Sequence, residues 1–352
     1  MITVLFKLKP TNVQEQLLSA SANEYIRCVN TLVSEISASE KTVKLSSASF
    51  QANLPSAVKN EVINMAKSVV KRHKNGTTKT LSVLKNPVIT WNNQNYKLVD
   101  NKLEFPLWID GKSQRVSVET VMTEYQLEHL QSRLGSLRIS QKNGKWIAQI
   151  AVDPEMTEST GQSVLGVDVG LKVPAVAVTD TGKTRFFGNG RQNKYRKRKF
   201  RSKRKALGKA KKQKVIEKLS NKEQRWMKDQ DHKVSRQIVN YAKANKVSVI
   251  KLEQLQNIRN TARTSRKNEK NLHTWSFYRL ALYITYKAKL LGIQVVAVNP
   301  AYTSQTCPAC GKKNHAKDRK YQCKCGFKSH RDRVGAMNII NAPVISGNRK
   351  SA

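Results

Sequence analysis

The spacing of apolar and polar residues over the first 80 positions predicts one strand followed by helices. Residues 2–8 are rich in β-forming side chains, and Pro10 stops this strand. From Asn12 to about Lys74, apolar residues recur mostly every three or four positions, which is typical of helices with one buried face. Asn75-Gly76 is a turn signal and ends the helical block.

Between residues 81 and 153 the pattern returns to short β-type runs. Within the last of them, Lys142-Asn-Gly-Lys145 predicts a hairpin with a two-residue turn. The pattern therefore indicates a small β-barrel interrupted by a helical bundle, although two unrelated small domains would give the same pattern. This half contains no candidate for catalysis.

The second half opens with an apolar strand that carries a carboxylate. Val164-Leu-Gly-Val-Asp-Val-Gly170 places Asp168 between two glycines, and the runs 175–178 and 184–187 predict two further strands. A Ser/Thr/Gly-rich stretch at 157–163 precedes this pattern and marks a domain boundary. RNase H-like nucleases begin with a buried hairpin that has an acid on its first strand, although many strands end in Asp without a catalytic role.

Two more acids lie at the ends of predicted elements. Glu253 ends the β-branched run 247–252, and Asp332 directly precedes a predicted helix of small residues. Residues 156–352 contain 11 acids beside 45 Lys and Arg, so a local ion pair is the alternative for each acid. Mg²⁺ takes oxygen ligands, and two Mg²⁺ ions activate water and stabilise the leaving oxygen in phosphodiester hydrolysis. Asp168, Glu253 and Asp332 are therefore candidate ligands of two Mg²⁺ ions.

Four of the five cysteines form a metal-binding pattern. Cys307-Pro-Ala-Cys310 and Cys323-Lys-Cys325 are separated by 12 residues, and a glycine follows each pair. In a cytosolic protein this spacing favours a structural Zn²⁺ site with four thiolate ligands over disulfides, and free structural thiols are the alternative. The fifth, Cys28, lies on an apolar helical face and is predicted to be part of the core.

The charge of the chain predicts a polyanionic partner. Its 65 Lys and Arg exceed its 24 Asp and Glu by 41, and +34 of this excess lies in residues 156–352. Nucleic acid is the default partner for such a chain. An acidic membrane is the other polyanion, but the sequence shows neither an apolar span of about 18 residues nor a signal peptide, so we expect a cytosolic protein.

One segment, predicted as a basic helix, concentrates this charge. Residues 191–214 contain 14 Lys and Arg and no acid, and phosphates are the natural counter-charge for such a density. A solvated charge run and a nuclear localisation signal are the alternatives. A weaker basic stretch at 259–270 is predicted to be a loop. The candidate nucleic-acid contacts are Arg191, Lys194, Arg196, Lys197, Arg198, Lys199, Arg201, Lys203, Arg204 and Lys205.

The order of these motifs resembles that of the TnpB family, transposon-encoded RNA-guided nucleases related to type V CRISPR effectors. The resemblance rests on Gly166-Val-Asp-Val-Gly170, Ile250-Lys-Leu-Glu253, Asn299-Pro-Ala-Tyr-Thr-Ser-Gln-Thr-Cys307 with the cysteine pairs that follow, and the final block 330–339. It is strong over about residues 164–341. Val334-Gly335 stands where Asn-Ala is common in the family, and the second cysteine pair is closer than in many members.

The resemblance implies a fold that combines α/β, all-β and helical modules. Its centre would be a RuvC-like, RNase H-like nuclease domain with an inserted zinc ribbon, preceded by a wedge-like β-barrel that a helical recognition insert interrupts. The implied bounds are 1–10 and 80–155 for the barrel, 11–79 for the recognition insert, 156–342 for the nuclease domain, 303–329 for the zinc ribbon and 343–352 for a C-terminal tail.

The resemblance further implies an RNA-guided DNA endonuclease with Asp168, Glu253 and Asp332 as its RuvC-type catalytic triad. A guide RNA from the transposon end would select double-stranded target DNA beside a short motif that the protein reads. Two alternatives are a nuclease-inactive or weakly active RNA-guided repressor and a zinc-ribbon DNA-binding accessory protein of transposition. We expect a cytoplasmic, nucleoid-associated location in a prokaryote and no membrane partner.

Overall fold

The computed structural model describes residues 1–39, 44–155, 161–219, 221–255, 276–314, 316 and 318–345. The chain divides into two compact units, residues 1–155 and 156–352. The predicted basic loop at 259–270 and most of the predicted tail lie outside the described residues. Within the described part, no helix combines the length and the hydropathy that crossing a membrane requires.

The first unit contains a seven-stranded antiparallel sheet and three helices. Its strands follow the order β2-β6-β7-β1-β5-β4-β3 across the sheet. The strands are β1 (Ile2–Lys9), β2 (Val88–Trp91), β3 (Lys97–Val99), β4 (Lys102–Ile109), β5 (Lys112–Val121), β6 (Arg133–Lys142) and β7 (Lys145–Asp153), and the helices are α1 (Asn12–Ala38), α2 (Ser56–Lys74) and α3 (Glu124–Leu130).

The helices predicted between Asn12 and Lys74 are α1 and α2. The hydroxyl of Thr11 accepts a hydrogen bond from the Gln14 amide and starts α1 with a capping box. Between the helices, the Ser46 amide donates to the Ser49 hydroxyl at 2.9 Å, a local bond that competes with helix formation. Both helices share one hydrophobic core with the sheet.

The hairpin predicted at Lys142-Asn-Gly-Lys145 is confirmed. Lys142 of β6 pairs with Lys145 of β7, and the two residues between them form the turn. Asn143 has a φ of 52° and Gly144 a φ of 73°. Two consecutive positive φ values match the twist of the flanking strands, and Asn-Gly adopts them at low steric cost.

The second unit is built on a five-stranded mixed sheet of order β10-β9-β8-β11-β12. Strand β9 pairs antiparallel with both β10 and β8, whereas β11 runs parallel to both β8 and β12. The strands are β8 (Ser163–Asp168), β9 (Ala175–Thr179), β10 (Thr184–Phe187), β11 (Val247–Glu253) and β12 (Gln294–Val298). The predicted hairpin that carries Asp168 is therefore present.

In the part of the second unit that the structure describes, five helices and a small hairpin accompany the sheet. The helices are α4 (Gly190–Lys209), α5 (Gln213–Leu219), α6 (Lys222–Ala244), α7 (Phe277–Lys289) and α8 (Arg331–Asn341), and the hairpin strands are β13 (Lys320–Gln322) and β14 (Lys328–His330). The basic run at 191–214 is thus not one helix, because α4 ends at Lys209 and Lys211 has a φ of 54°. Ile345 extends the sheet, because its amide donates to the Ala297 carbonyl of β12.

Helices cover both faces of the five-stranded sheet, which explains why its strands are almost continuously apolar. Helices α6 and α7 pack on one face through a core that includes Ile238 and Ile284. On the other face, Ala336 of α8 packs against Val176 and Val178 of β9. Gly166 of β8 permits this close approach, since a Cβ there would lie 2.1 Å from the Ala336 carbonyl oxygen. The helix that carries Asp332 is thereby held against the strand that carries Asp168.

Candidate active site and four-cysteine cluster

Asp168 and Glu253 end two neighbouring parallel strands. Asp168 is the last residue of β8, Glu253 is the last residue of β11, and the final register pair joins Val167 to Leu252. Because parallel strands finish at the same edge of a sheet, the two carboxylates emerge side by side. The two acids are 85 residues apart in the chain, and the pairing of β8 with β11 brings them together.

Asp332 reaches the same edge from α8. We predicted that it directly precedes the helix, but it lies in the first turn, where its amide donates to Nδ1 of the capping His330 at 3.3 Å. Gly335, one turn further along, faces Asp168, and a Cβ there would lie 3.0 Å from Oδ2 of that aspartate. The structure therefore brings together all three acids that the sequence singled out.

The proximity of the other two acids affects the pKa of Asp168. Desolvation by the surrounding protein raises the pKa of its carboxyl well above the usual value, and the negative charges of Glu253 and Asp332 raise that pKa further. The positive charges of Arg331 and Arg319 act in the opposite direction. A half-buried carboxyl whose charge two neighbouring acids disfavour is typical of a site that receives a cation.

Glu253 and Asp332 each have a hydrogen-bonding partner from the region around the cysteines. The Thr303 hydroxyl donates to Oε1 of Glu253 at 2.5 Å, and Arg319 donates to both carboxylate oxygens of Asp332. Desolvation raises the pKa of Glu253, and the bond from Thr303 lowers it in part. Sequence reasoning identified neither partner. Thr303 lies in the Tyr-Thr-Ser-Gln motif, which signals its importance but not its contact.

The alternative role considered for the three acids, a local ion pair with Lys or Arg, is observed for Asp332 only. Within the described residues, several acids of the second unit lie within 4.0 Å of a Lys or Arg nitrogen: Glu223, Asp229, Asp231, Asp318 and Asp332. In the same part of the chain, neither Asp168 nor Glu253 has a basic partner at that distance. No Lys or Arg of the described residues therefore neutralises Asp168 or Glu253 through an ion pair.

The four cysteines predicted as metal ligands form one cluster, in which all four sulfur atoms lie within 4.8 Å of one another. The Sγ atoms of Cys307 and Cys325 are 3.7 Å apart, and those of Cys310 and Cys323 are 3.6 Å apart. Four sulfurs at about 2.3 Å from a tetrahedral Zn²⁺ would be about 3.8 Å from one another. Both Sγ–Sγ distances match this spacing, so the cluster is suited to one metal ion.

Local backbone geometry supports this cluster. Gly311 and Gly326, which follow the two cysteine pairs, have φ values of 72° and 92°, a region that glycine adopts readily. Burial opposes ionisation of the Cys307 thiol, but the amides of Cys310 and Ala309 outweigh it and lower the pKa to about 7. Easier ionisation favours metal binding, because the thiolate is the ligand.

The predicted nucleic-acid contacts divide into two faces of α4. Arg196, Lys197 and Arg204 are half-buried: Arg196 lies 5.6 Å from the ring centre of Trp226, and Arg204 pairs with Glu223 of α6. Desolvation lowers the pKa of Lys197. The other seven are exposed, namely Arg191, Lys194, Arg198, Lys199, Arg201, Lys203 and Lys205.

Two protein-family models match the part of the chain that contains the acids and the cysteines. Residues 148–259, which include Asp168 and Glu253, match a family described as "Probable transposase". Residues 277–339, which include the cysteines and Asp332, match a family described as "Cas12f1-like, TNB domain". The chain is also 33% identical over 128 residues to a TnpB-like protein of Methanocaldococcus jannaschii, across 36% of this chain and 46% of that protein. The chain is a TnpB-family relative of the type V effectors.

Longer matches extend this relationship over most of the chain. The TnpB-family chain is 27% identical over 326 residues to the CRISPR-associated endodeoxyribonuclease Cas12f1 of Syntrophomonas palmitatica, across 78% of this chain and 65% of that protein. It is 26% identical over 280 residues to the Cas12f1 of Sulfoacidibacillus thermotolerans, across 74% of this chain and 63% of that protein. The chain thus spans less than two thirds of the length of these relatives.

The fold of this TnpB-family chain is also shared with a solved effector. A cryo-EM structure of a Cas12f1-sgRNA-target DNA complex superposes with a TM-score of 0.67 at 18% sequence identity, and the match covers 94% of this chain and 82% of that one. This likeness shows that the fold is that of a type V effector.

Proposed function

We propose that this protein is an RNA-guided DNA endonuclease. It binds a guide RNA derived from a transposon end, recognises double-stranded DNA next to a short motif, and hydrolyses phosphodiester bonds with a RuvC-like nuclease domain. The observation that carries the proposal is the convergence of Asp168, Glu253 and Asp332 at one sheet edge, in a chain whose relatives include proteins named endodeoxyribonucleases.

The three acids fit two Mg²⁺ ions. Magnesium takes oxygen ligands. Desolvation and then repulsion by the other two acids raise the pKa of Asp168, and a bound cation would relieve that repulsion. When bound, such ions activate water and stabilise the leaving oxygen. Asp168 and Glu253 would provide ligands from the sheet, and Asp332 would provide them from α8. Arg319 now pairs with Asp332, so we infer that it shares this carboxylate with the metal or turns toward the substrate phosphate.

The four-cysteine cluster fits a structural Zn²⁺. Four thiolates complete a tetrahedron and leave no position for substrate, so we assign this ion to folding rather than to hydrolysis. Its ligands would be Cys307, Cys310, Cys323 and Cys325. The first unit would then be the wedge-like barrel with its helical recognition insert. Because DNA is the proposed substrate, we expect the protein to be associated with the nucleoid.

Guide-dependent cleavage is the direct test of the proposed function. The protein is purified after co-expression with the DNA that flanks its reading frame, the bound RNA is sequenced, and its variable end is replaced by a new guide. We expect Mg²⁺-dependent cutting only of plasmids that match the new guide, and no cutting in EDTA. The positions of the cut ends are mapped by sequencing, with a mismatched guide as the control.

The same experiment separates the alternatives. Occupancy of the matched plasmid without cutting would support the RNA-guided repressor, and this outcome would contradict the nuclease. Tight duplex binding by protein that carries no RNA would support the transposition accessory protein. All three acids are retained and brought together in the structure, which favours the nuclease over both.

The exposed face of α4 is the proposed nucleic-acid contact. Arg191, Lys194, Arg198, Arg201 and Lys205 recur every three or four residues, so they form one stripe about 21 Å long. Phosphates on one strand repeat every 3.4 Å along the helix axis, so this stripe can follow several of them. The inward basic residues dock α4 on α6 instead.

We therefore expect Lys194→Gln combined with Lys205→Gln to weaken binding of the co-purified RNA. Removing two phosphate contacts should also make the dependence on salt less steep. The negative slope of the log of the binding constant against the log of the salt concentration should shrink in magnitude by roughly 1.5. The matched control is Lys243→Gln with Lys289→Gln, which removes the same charge from exposed positions on α6 and α7. Equal effects of both pairs, measured by filter binding at several salt concentrations, would mean that net charge alone matters and that α4 is not a specific contact.

A further inference from the structure

The segment 299–306 connects β12 to the first cysteine pair and contacts the proposed active site at Glu253. Val298, at the end of β12, pairs in register with Glu253, so the segment leaves the sheet at the edge where the acids lie. Tyr302 has a φ of 61°, which is unusual for a bulky residue and reverses the chain direction here. The next residue, Thr303, is only 7% exposed.

The hydroxyl of Thr303 is committed to Glu253. It lies 2.5 Å from Oε1 of Glu253 and 3.1 Å from the Pro300 carbonyl oxygen. A hydroxyl has one proton to donate, and the carboxylate is both the nearer and the charged acceptor, so the bond to Glu253 is the stronger. This bond uses Oε1, and among the described residues no hydrogen bond occupies Oε2 of Glu253.

A side chain from α8 holds the backbone of this segment. Nδ2 of Asn338 donates to the Thr303 carbonyl at 2.6 Å and to the Thr306 carbonyl at 2.7 Å. The carbonyl of Gln305, between them, accepts a bond from the Tyr321 hydroxyl at 3.0 Å. Thr303 is therefore fixed from two sides, by the helix that carries Asp332 and by the hairpin of the cysteine cluster.

We propose that Thr303 is a positioning residue that holds the Glu253 carboxylate in the orientation required for metal binding, and that Asn338 fixes Thr303 for this role. The inference rests on the proposed nuclease function. Residues that hydrogen-bond to a metal ligand orient it, and losing one typically weakens metal affinity or activity about 10–100-fold. Since α8 provides both Asp332 and Asn338, one helix sets the relative position of two acids on different elements.

Thr303→Val tests the proposal, because it keeps the shape of the side chain and removes only the hydroxyl. We expect Mn²⁺ binding to the protein–guide complex, followed by electron paramagnetic resonance, to weaken about 10–100-fold. The Mg²⁺ concentration for half-maximal cleavage should rise by a similar factor. Thr303→Ser restores the donor and should return both quantities to within about threefold of the wild type.

Thr306→Val is the matched control within the same segment. The Thr306 hydroxyl donates to the Tyr302 carbonyl at 3.1 Å and contacts no acid of the site, so wild-type Mn²⁺ binding is expected. Glu253→Gln gives the reference for loss of the ligand itself. Unchanged Mn²⁺ binding in Thr303→Val, or equal losses in the Val variants at 303 and 306, would overturn the proposal.

Two further measurements keep the outcome unambiguous. Zinc content and the melting temperature show whether each variant is folded. If Thr303→Val is not, Thr303→Ala removes the hydroxyl without placing a methyl group beside the carboxylate, and the same loss of Mn²⁺ affinity is expected. If the wild type does not cut DNA but binds Mn²⁺ through Glu253, the proposed function fails, while the Mn²⁺ measurements still decide the role of Thr303.

Discussion

Asp168→Asn should abolish DNA cleavage and, at the same time, raise the melting temperature of the metal-free protein. Removing a metal ligand forfeits several kcal/mol of transition-state stabilisation, so we expect the rate to fall about a thousandfold or more. RNA binding and recognition of the matched DNA should persist, because Asp168 lies at the sheet edge and not on the exposed face of α4. A loss of activity together with a gain in stability would indicate that Asp168 serves catalysis at the expense of stability.

The increase in stability follows from the raised pKa of Asp168. Desolvation, then the charges of Glu253 and Asp332, make the folded state bind a proton more tightly than the unfolded state. Stability therefore falls as pH rises from the ordinary aspartate value through the raised folded value. The Asn variant carries no charge at this position, so we expect it to unfold at a temperature higher by a few degrees.

Thermal unfolding in EDTA at pH 7.5 and pH 4 measures this effect. The melting temperature of Asp168→Asn should exceed that of the wild type at pH 7.5, and the difference should shrink at pH 4, where Asp168 is increasingly protonated. Asp229→Asn is the control, since Asp229 is an exposed acid paired with Lys233 on α6. Cleavage at the wild-type rate by Asp168→Asn, or a lower melting temperature at pH 7.5, would contradict the assignment.

Cys310→Ser should remove the bound zinc and unfold the hairpin of the cysteine cluster. The small core beneath this hairpin contains Cys307 and Cys323 themselves, so little apolar area remains to stabilise it without metal. Structural zinc sites contribute apparent binding free energies of about 10–16 kcal/mol, which is folding free energy in modules of this size. Metal analysis should show about one zinc per wild-type chain and a large loss in the variant.

Cleavage should fall together with the zinc content. Thr303 contacts Glu253 and Arg319 contacts Asp332, so disorder of the cluster should release two of the three acids. We expect proteolysis within residues 303–330 and a higher Mg²⁺ requirement.

Cys28→Ala is the control for this prediction. Cys28 is buried on α1 in the other unit, and desolvation raises the pKa of its thiol to about 11, as expected for a structural thiol. The variant should retain one zinc per chain and resist proteolysis at the insertion. Full cleavage by a zinc-free Cys310→Ser protein would show that the insertion does not support the active site.

Local sequence patterns predicted the structure correctly wherever neighbouring residues determine it. Asn143-Gly144 specifies its turn through backbone sterics, and the hairpin after Asp168 follows from two apolar runs and a turn signal. The same rules failed for the basic run. It was predicted as one helix, but α4 ends at Lys209 because the chain passes through the left-handed backbone conformation of Lys211.

The sequence by itself determined the chemistry that this protein carries: three acids at element ends, four cysteines in two close pairs, and a dense basic segment. Only the tertiary structure decided which groups act together, because contacts across 85 residues depend on strand register and helix packing. It brought Asp168, Glu253 and Asp332 to one edge and divided the basic residues of α4 between a docking face and an exposed face. It also placed Thr303 on Glu253 and Arg319 on Asp332, contacts that no spacing along the chain encodes.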